Sequence, residues 1–205
     1  MYRIYLYLIL AASVSALATD MIVPALPLLQ KAFNTDYSSI QLTISGFLVI
    51  YAASQLLSGF LGEKLGKLRI LTASFLLFLA GSLLCFMSDS LEMLLAGRAL
   101  QALGAGAGPV LSKAIAKETF SPLTLKRALS DISSASAVVP LIAPLAGAAI
   151  LGYLSWNTIF LVMALFSVSP FCSLRVASCI MTWPQYPLRP VLSPRHLFRE
   201  RCWFR

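Results

Sequence analysis

The sequence predicts an all-α fold, a polytopic membrane protein built as a bundle of six transmembrane helices. Of its 205 residues, 59% are hydrophobic and only 12% are charged, which is far from the balance of an ordinary soluble domain. Residues 40–60 and 70–88 contain no charge, and each run can supply the roughly 20 apolar residues that a membrane-crossing helix needs. A helix in lipid satisfies its own backbone hydrogen bonds, so a soluble helical bundle is the disfavoured alternative.

The apolar runs divide the chain into two parts. We predict a six-span bundle over residues 1–171, followed by a proline- and arginine-rich segment, residues 172–205, that forms a disordered cytoplasmic tail. Proline at this density excludes a long helix, and the arginines exclude burial in lipid. The predicted spans are residues 4–29, 40–61, 70–87, 91–111, 129–151 and 157–171.

The segment 59–71, GFLGEKLGKLRIL, places an acid and several cations between two apolar runs. It therefore predicts a tight charged loop that joins two antiparallel spans. Lysine and arginine accumulate in short cytoplasmic loops, and Arg3, this loop and the cations of residues 113–127 would all lie on one side. We therefore expect a cytoplasmic amino terminus. The net charge of +8 follows from this topology and does not indicate a nucleic-acid partner.

Residues with metal-binding or catalytic chemistry are few and dispersed. They lack the spacing of metal ligands or of a compact disulfide framework, and no phosphate-binding loop or nucleophile elbow is present. The sequence thus predicts no metal site and no catalytic residues, and a membrane enzyme is a remote alternative. The residues concerned are Cys85, Cys172, Cys179, Cys202 and His196.

Asp20 and Arg98 are the ionisable residues that stand out inside the predicted spans. A charge in hydrocarbon is costly, which makes each one a candidate functional residue. Both would lie about two helical turns from the outer ends of their spans, so they could face each other or one cavity. Asp20 could take up and release a proton and so couple proton flow to a conformational change. The alternative is a static ion pair that only fixes helix packing.

We expect Asp131 and Glu92 to have a structural and not a functional role. Asp131 is expected at the cytoplasmic start of the fifth span, near Lys126 and Arg127, and Glu92 at the outer start of the fourth. An acid in the first turn of a helix complements the helix dipole.

Small residues predict close helix contacts along residues 104–108 and at Ala143 and Gly147. Pro140 and Pro144 remove two backbone donors and should bend the fifth span. Such surfaces let helices slide during gating, although ordinary packing without gating would use the same residues.

Four motifs, in order, resemble those of the major facilitator superfamily, and most closely its Bcr/CflA branch of bicyclomycin- and chloramphenicol-resistance drug:proton antiporters. The first, LATDMIVPALPLL, ends the first span, and the second, QLTISGFLVIYAASQLLSGFLGEKLGKLRIL, covers the second span and its loop. The third, LLAGRALQALGAGAG, lies in the fourth span, and VVPLIAPLAGAAILGYLSWNTIF resembles the fifth-span antiporter motif. This resemblance covers most of residues 1–170.

The resemblance implies proton-driven efflux of small hydrophobic or amphipathic drugs by alternating access, in a bacterial inner membrane and powered by the proton gradient without a cofactor. Asp20 would carry the proton or contact the substrate, with Arg98 as its coupling partner and Gln101 in the same cavity. The remaining assignments follow the motifs: Gly59, Glu63, Gly66, Lys67 and Arg69 in the cytoplasmic gate loop, and Pro140, Ala143, Pro144 and Gly147 in the fifth-span motif.

The sequence departs from the family pattern at three places and in length. The second cationic pair of the loop is loosened to Lys67-Leu68-Arg69. Glu63 replaces the usual loop aspartate and Ala143 replaces a fifth-span glycine. The family fold has two six-helix halves, and this chain resembles the amino-terminal half only. A disrupted reading frame after about residue 169 would produce a truncated fragment that is inactive alone. The alternatives are a half-size transporter that works as a homodimer and a non-transporting membrane subunit, with the tail touching anionic headgroups.

Overall fold

The computed structural model describes residues 2–168, so the predicted tail and the end of the sixth predicted span lie outside the described residues. All regular structure in this part is helical. The helices are α1 (Tyr2–Asp20), α2 (Leu26–Ala32), α3 (Tyr37–Leu65), α4 (Lys67–Phe86), α5 (Leu91–Ala105), α6 (Ala107–Thr119), α7 (Pro122–Tyr153) and α8 (Asn157–Val168), with a 3₁₀ turn at Val23–Ala25.

The predicted all-α bundle is confirmed, and each predicted span is helical along most of its described part. Four segments are long and apolar enough to cross a membrane by length and composition: Ile4–Ala32, Tyr37–Leu65, Lys67–Phe86 and Pro122–Tyr153. The fourth predicted span is divided between α5 and α6, and α8 is a shorter apolar helix.

Two prolines explain where the first and fourth spans break. Pro24 has no backbone N–H to donate to the carbonyl of Asp20, four residues earlier, and α1 ends at Asp20. Pro109 likewise cannot bond to the carbonyl of Ala105, the last residue of α5. The Ser54 hydroxyl donates to the nearby carbonyl of Leu103 at 2.6 Å. The interruptions therefore follow from missing backbone donors.

The corner between α3 and α4 is shorter than predicted. The predicted spans 40–61 and 70–87 leave residues 62–69 as a loop, but α3 runs to Leu65, α4 begins at Lys67, and only Gly66 separates them. Gly66 has a φ of 98°, a left-handed conformation that side chains disfavour. Glycine at this position permits the chain to reverse within one residue.

The long helix α7 corrects the interpretation of Asp131. The helix begins at Pro122, seven residues before the predicted span, and its first proline suits a position that needs no N–H donor. Asp131 therefore lies nine residues inside the helix, too far from the amino-terminal turn to complement its dipole. Instead it accepts a hydrogen bond from the Tyr5 hydroxyl on α1. In contrast, Glu92 lies in the first turn of α5 as predicted.

Small residues let the helices approach closely, as predicted. A methyl group added at Gly104 would lie 2.5 Å from backbone atoms of Ser74 and Phe78 on α4. One added at Gly108 or Gly147 would collide with the backbone of Ala11 or Met21 respectively. These contacts bring α4 against α5, and α6 and α7 against the first span.

The helices are not equally enclosed by the bundle. The first span is the most buried of the long segments, whereas α3 and α7 are the least buried. Arg98, Phe47 and Phe160 are among the largest fully buried side chains. The bundle core therefore contains a full positive charge.

Candidate functional site

Arg98 on α5 forms the centre of a polar cluster inside the bundle. Its side chain is only 1% exposed. Nη1 donates to the carbonyl of Ala18 on α1 at 3.0 Å and to Oε1 of Gln101 at 2.9 Å. Nε donates to the carbonyl of Thr43 on α3 at 3.4 Å. The guanidinium thus joins three helices through neutral acceptors.

The face of the guanidinium lies against an aromatic ring. The Arg98 Cζ atom is 4.1 Å from the centroid of the Phe47 ring, within the range of a cation–π interaction. Phe47 in turn stacks on Tyr51, with centroids 6.0 Å apart. Phe47 is itself 1% exposed, so water does not weaken this contact.

One nitrogen of Arg98 is not used. An arginine side chain has five N–H donors, and the Nη2 atom of Arg98 is buried without a hydrogen-bond partner. Buried donors are normally bonded, because an unpaired one costs free energy. This nitrogen is available for a further acceptor.

Gln101 extends the cluster from Arg98 to α4 and α8. Its amide nitrogen donates to the Ser82 hydroxyl at 2.7 Å and approaches Sδ of Met163 at 3.8 Å. Ser82 in turn donates to the carbonyl of Phe78 at 2.8 Å. Both Gln101 and Ser82 are 0% exposed, and their polar side-chain atoms are satisfied within the bundle.

Asp20 follows the bonded Ala18 carbonyl along α1 but is not paired with this cluster. It is the last residue of α1, two residues after Ala18, and is partly exposed. Among residues 2–168, the ion pair that the structure shows is Lys67–Glu118, and no hydrogen bond joins Asp20 to Arg98. The structure therefore brings Arg98 and Gln101 together and leaves Asp20 separate, at the break of the first span.

The predicted gate-loop residues lie around the α3–α4 corner. Lys67 forms an ion pair with Glu118 near the end of α6, while Glu63 and Arg69 are exposed. A methyl group at Gly59 would make an ordinary contact of 3.7 Å with Val110. Together with Gly66 in its left-handed conformation, these residues form the end of the α3–α4 hairpin.

The fifth-span residues lie on α7, which continues through both Pro140 and Pro144. Ala143 is fully buried, and both prolines are partly buried. The Gly147 backbone packs against Met21, just after α1. This motif therefore contacts the chain beside Asp20.

Sequence reasoning missed several partners of Arg98 and Gln101, namely Thr43, Phe47 and Ser82. A signal for two of them exists in α3, where the buried residues follow a helical spacing and include small or polar side chains: Ile40, Thr43, Phe47, Ser54, Ser58 and Gly62. Helix contacts in membranes are enriched in such residues. That pattern identifies the inward face of α3.

No three histidine, cysteine, aspartate or glutamate side chains are grouped as metal ligands among residues 2–168. The chemistry available in the described site is therefore that of a buried guanidinium with one unused nitrogen, a neutral polar network and a carboxylate two residues beyond one of the bonded carbonyls.

Known proteins of similar sequence agree with the family that the four motifs resemble. A chloramphenicol resistance protein of Pseudomonas aeruginosa is 34% identical over 152 residues, covering 74% of this chain and 36% of the relative. Multidrug resistance protein D of Escherichia coli K12 is 25% identical over 193 residues, covering 94% and 47% respectively. An uncharacterized transporter of Bacillus subtilis, YdgK, is 34% identical, covering 74% and 38%. The chain thus spans less than half the length of these relatives.

A solved structure supports the fold. The human organic anion transporter MFSD10 (TETRAN) matches with a TM-score of 0.65 and 19% identity, covering 88% of this chain and 47% of that one. The sequence profile of the Major Facilitator Superfamily matches residues 8–195, which includes part of the segment predicted to be a tail. Because this match extends over most of its length, the chain belongs to the Major Facilitator Superfamily.

Proposed function

We propose that this chain contributes to proton-coupled efflux of small hydrophobic or amphipathic drugs by alternating access. Its family and the named resistance relatives support drug efflux. The observation that supports proton coupling is the unused Nη2 of buried Arg98, since Asp20 lies two residues beyond the carbonyl that already binds this guanidinium.

In the proposed mechanism, Asp20 alternates between two environments. When protonated, its carboxyl is neutral and stays apart from Arg98. When it loses the proton, the carboxylate gains from pairing with the guanidinium, because charge-assisted hydrogen bonds are the stronger ones. The interruption of helix between α1 and the 3₁₀ turn gives the first span a place to rearrange. Formation of the Asp20–Arg98 pair would accompany the change between the two access states of the transporter.

The bacterial relatives support a bacterial inner-membrane location. For the amino terminus we propose the cytoplasmic side, since exposed cations cluster where α6 ends and α7 begins: Lys113, Lys117, Lys126 and Arg127. Lysine and arginine favour the cytoplasmic loops of membrane proteins. In this orientation the Lys67–Glu118 ion pair would tie the cytoplasmic ends of α4 and α6.

The form in which the chain acts is a separate proposal. Alternating access requires one bundle to move against another, and α3 and α7 expose large apolar side chains such as Leu56 (80%) and Leu141 (73%). A second copy of this chain could cover these helices and restore a two-bundle transporter. The alternatives remain a fragment that is inactive alone and a non-transporting membrane subunit.

Replacing Asp20 with asparagine tests the coupling. We expect Asp20→Asn to abolish substrate-dependent proton release from vesicles that contain the protein, because the amide cannot exchange the proton. Asp36→Asn is the matched control, since Asp36 is exposed in the connection before α3, and it should behave as the unmodified protein. Unchanged proton release in Asp20→Asn would exclude the proposed role of this carboxylate.

A further inference from the structure

The buried charge of Arg98 has no carboxylate beside it among the described residues, so another group must stabilise it. Its three bonded acceptors are two backbone carbonyls and one side-chain amide. Removing a cation from water is costly unless compensating interactions are good. The guanidinium also contacts the Phe47 ring, whose centroid lies 4.1 Å from Cζ.

The environment of this contact makes it strong. Cation–π attraction grows when the pair is desolvated, and both side chains are 1% exposed. Tyr51 stacks on Phe47 with an interplanar angle of 14°, which supports the ring from the same helix. A planar guanidinium also stacks on a ring more readily than an ammonium group would.

We propose that Phe47 is a positioning residue for Arg98, whose ring face takes the place of a counterion while Asp20 is protonated. The ring holds the guanidinium charged and in place, with Nη2 left free for the Asp20 carboxylate. Only the consequence for proton coupling rests on the proposed function, because the contact between Phe47 and Arg98 is present in the fold whether or not the chain transports anything.

The other ionisable groups around Arg98 do not replace the ring. The Cys85 thiol on α4 lies close enough to interact electrostatically with the guanidinium, but it hydrogen-bonds to the carbonyl of Leu94 at 3.7 Å. The Tyr51 phenol is part of the ring that stacks on Phe47. On α1, Asp20 is the nearest acid in sequence to the Ala18 carbonyl that binds Nη1.

Stepwise fluorination of the ring tests the contact in the full chain. Fluorine withdraws electron density from the ring face and leaves the shape of the side chain nearly unchanged. Mono-, di- and trifluorophenylalanine at position 47 should lower the thermal unfolding temperature in detergent with each added fluorine. The same series at Phe78, which is also 1% exposed, is the matched control and should show no such trend.

A second measurement tests the consequence for Asp20. The infrared band of protonated carboxyl groups, assigned by its loss in Asp20→Asn, gives the fraction of protonated Asp20 at each pH. Fluorination weakens the attraction between the ring and Arg98, which destabilises the state with protonated Asp20 because Arg98 depends on the ring in that state. The pH at which half of Asp20 is protonated should therefore fall by up to about one unit for the trifluoro ring. A purely structural role of Phe47 would not move this midpoint.

Equal thermal trends at positions 47 and 78, or an infrared midpoint that does not fall, would overturn the proposal. In Arg98→Met the trend at position 47 should disappear, and its persistence would also overturn the proposal. If Arg98→Met does not fold, the comparison of positions 47 and 78 and the infrared midpoint decide. Neither measurement requires transport, so a chain that transports nothing but shows both effects would contradict the proposed function and not this inference.

Discussion

At the scale of single residues, Arg98 illustrates how a membrane protein retains a buried charge. Neutral dipoles, an aromatic face and the Gln101 amide share the stabilisation of the guanidinium. Because Gln101 also bonds to Ser82, its amide orients the cation and links α5 to α4. The site therefore depends on residues that carry no charge.

Replacing Gln101 tests this dependence. Gln101→Leu should lower the free energy of unfolding by about 1–3 kcal/mol, because it leaves donors of Arg98 and the Ser82 hydroxyl with fewer partners. Chemical unfolding in detergent, followed by circular dichroism, measures the change. Gln41→Leu is the matched control, since Gln41 is exposed on α3. A loss of stability no larger than in this control would show that the network contributes nothing.

These residues also show which parts of the site the sequence could reveal. Asp20 and Arg98 are conspicuous because a charge inside an apolar run is rare, and Gln101 follows Arg98 by one turn of the same helix. The carbonyls of Ala18 and Thr43 have no such signature, since every residue carries one. Their part in the site depends on how the helices pack.

At the scale of the helices, glycines decide how closely neighbours approach. Gly81 and Gly97 face each other between α4 and α5, where a methyl group on Gly81 would lie 2.8 Å from the carbonyl oxygen of Gly97. Gly104 continues this seam against Ser74 and Phe78. Close packing of backbones is a main source of helix association in lipid, so this seam holds Arg98 and Gln101 in place.

A pair of alanine substitutions tests the seam. Gly104→Ala should destabilise the protein by about 1–3 kcal/mol, because the atoms it meets are backbone and can yield only if the helices separate. Gly46→Ala is the matched control, since nothing lies within 4 Å of its added methyl group. We expect it to be neutral or to stabilise α3 by about 0.5–1 kcal/mol. Equal effects on the thermal unfolding temperature would contradict the close contact.

Helix type was predictable, but helix ends were less so. Apolar runs located the spans, whereas α3 continues to Leu65 and α7 begins at Pro122, beyond the predicted limits. The reason is physical: hydrophobicity marks what lies in lipid, while a helix ends where backbone bonding fails. Glycine in a left-handed conformation and proline cause such failures at Gly66, Pro24 and Pro109.

At the scale of the whole molecule, the uneven burial of the helices is the main feature. The first span is enclosed by its neighbours, while α3 and α7 are the least buried of the long segments. In a membrane, lipid or a second bundle can cover such apolar faces. The relatives are more than twice as long as the matched region, which makes the partner of these helices the central question.

Cysteine cross-linking distinguishes a second copy from lipid. If the chain forms a homodimer through α3 and α7, oxidation in native membranes should link copies that carry Leu56→Cys or Leu141→Cys. Leu76→Cys on α4, where the native leucine is 54% exposed, should remain monomeric. Cys172, Cys179 and Cys202 are replaced with serine to remove the background, and the remaining native thiol, Cys85, is buried. Absence of cross-links at both Leu56→Cys and Leu141→Cys would contradict a homodimer that forms through α3 and α7.

The sequence by itself determined the all-α membrane architecture, the family and the residues most exceptional for lipid, because composition and charge are local properties. Only the tertiary structure decided how those residues are arranged. It placed Phe47 under the guanidinium, left Nη2 of Arg98 without a partner, and put Asp131 against Tyr5 inside α7. The physical reason is that these relations depend on side chains and carbonyls of different helices, whose distances are set by packing and not by sequence spacing.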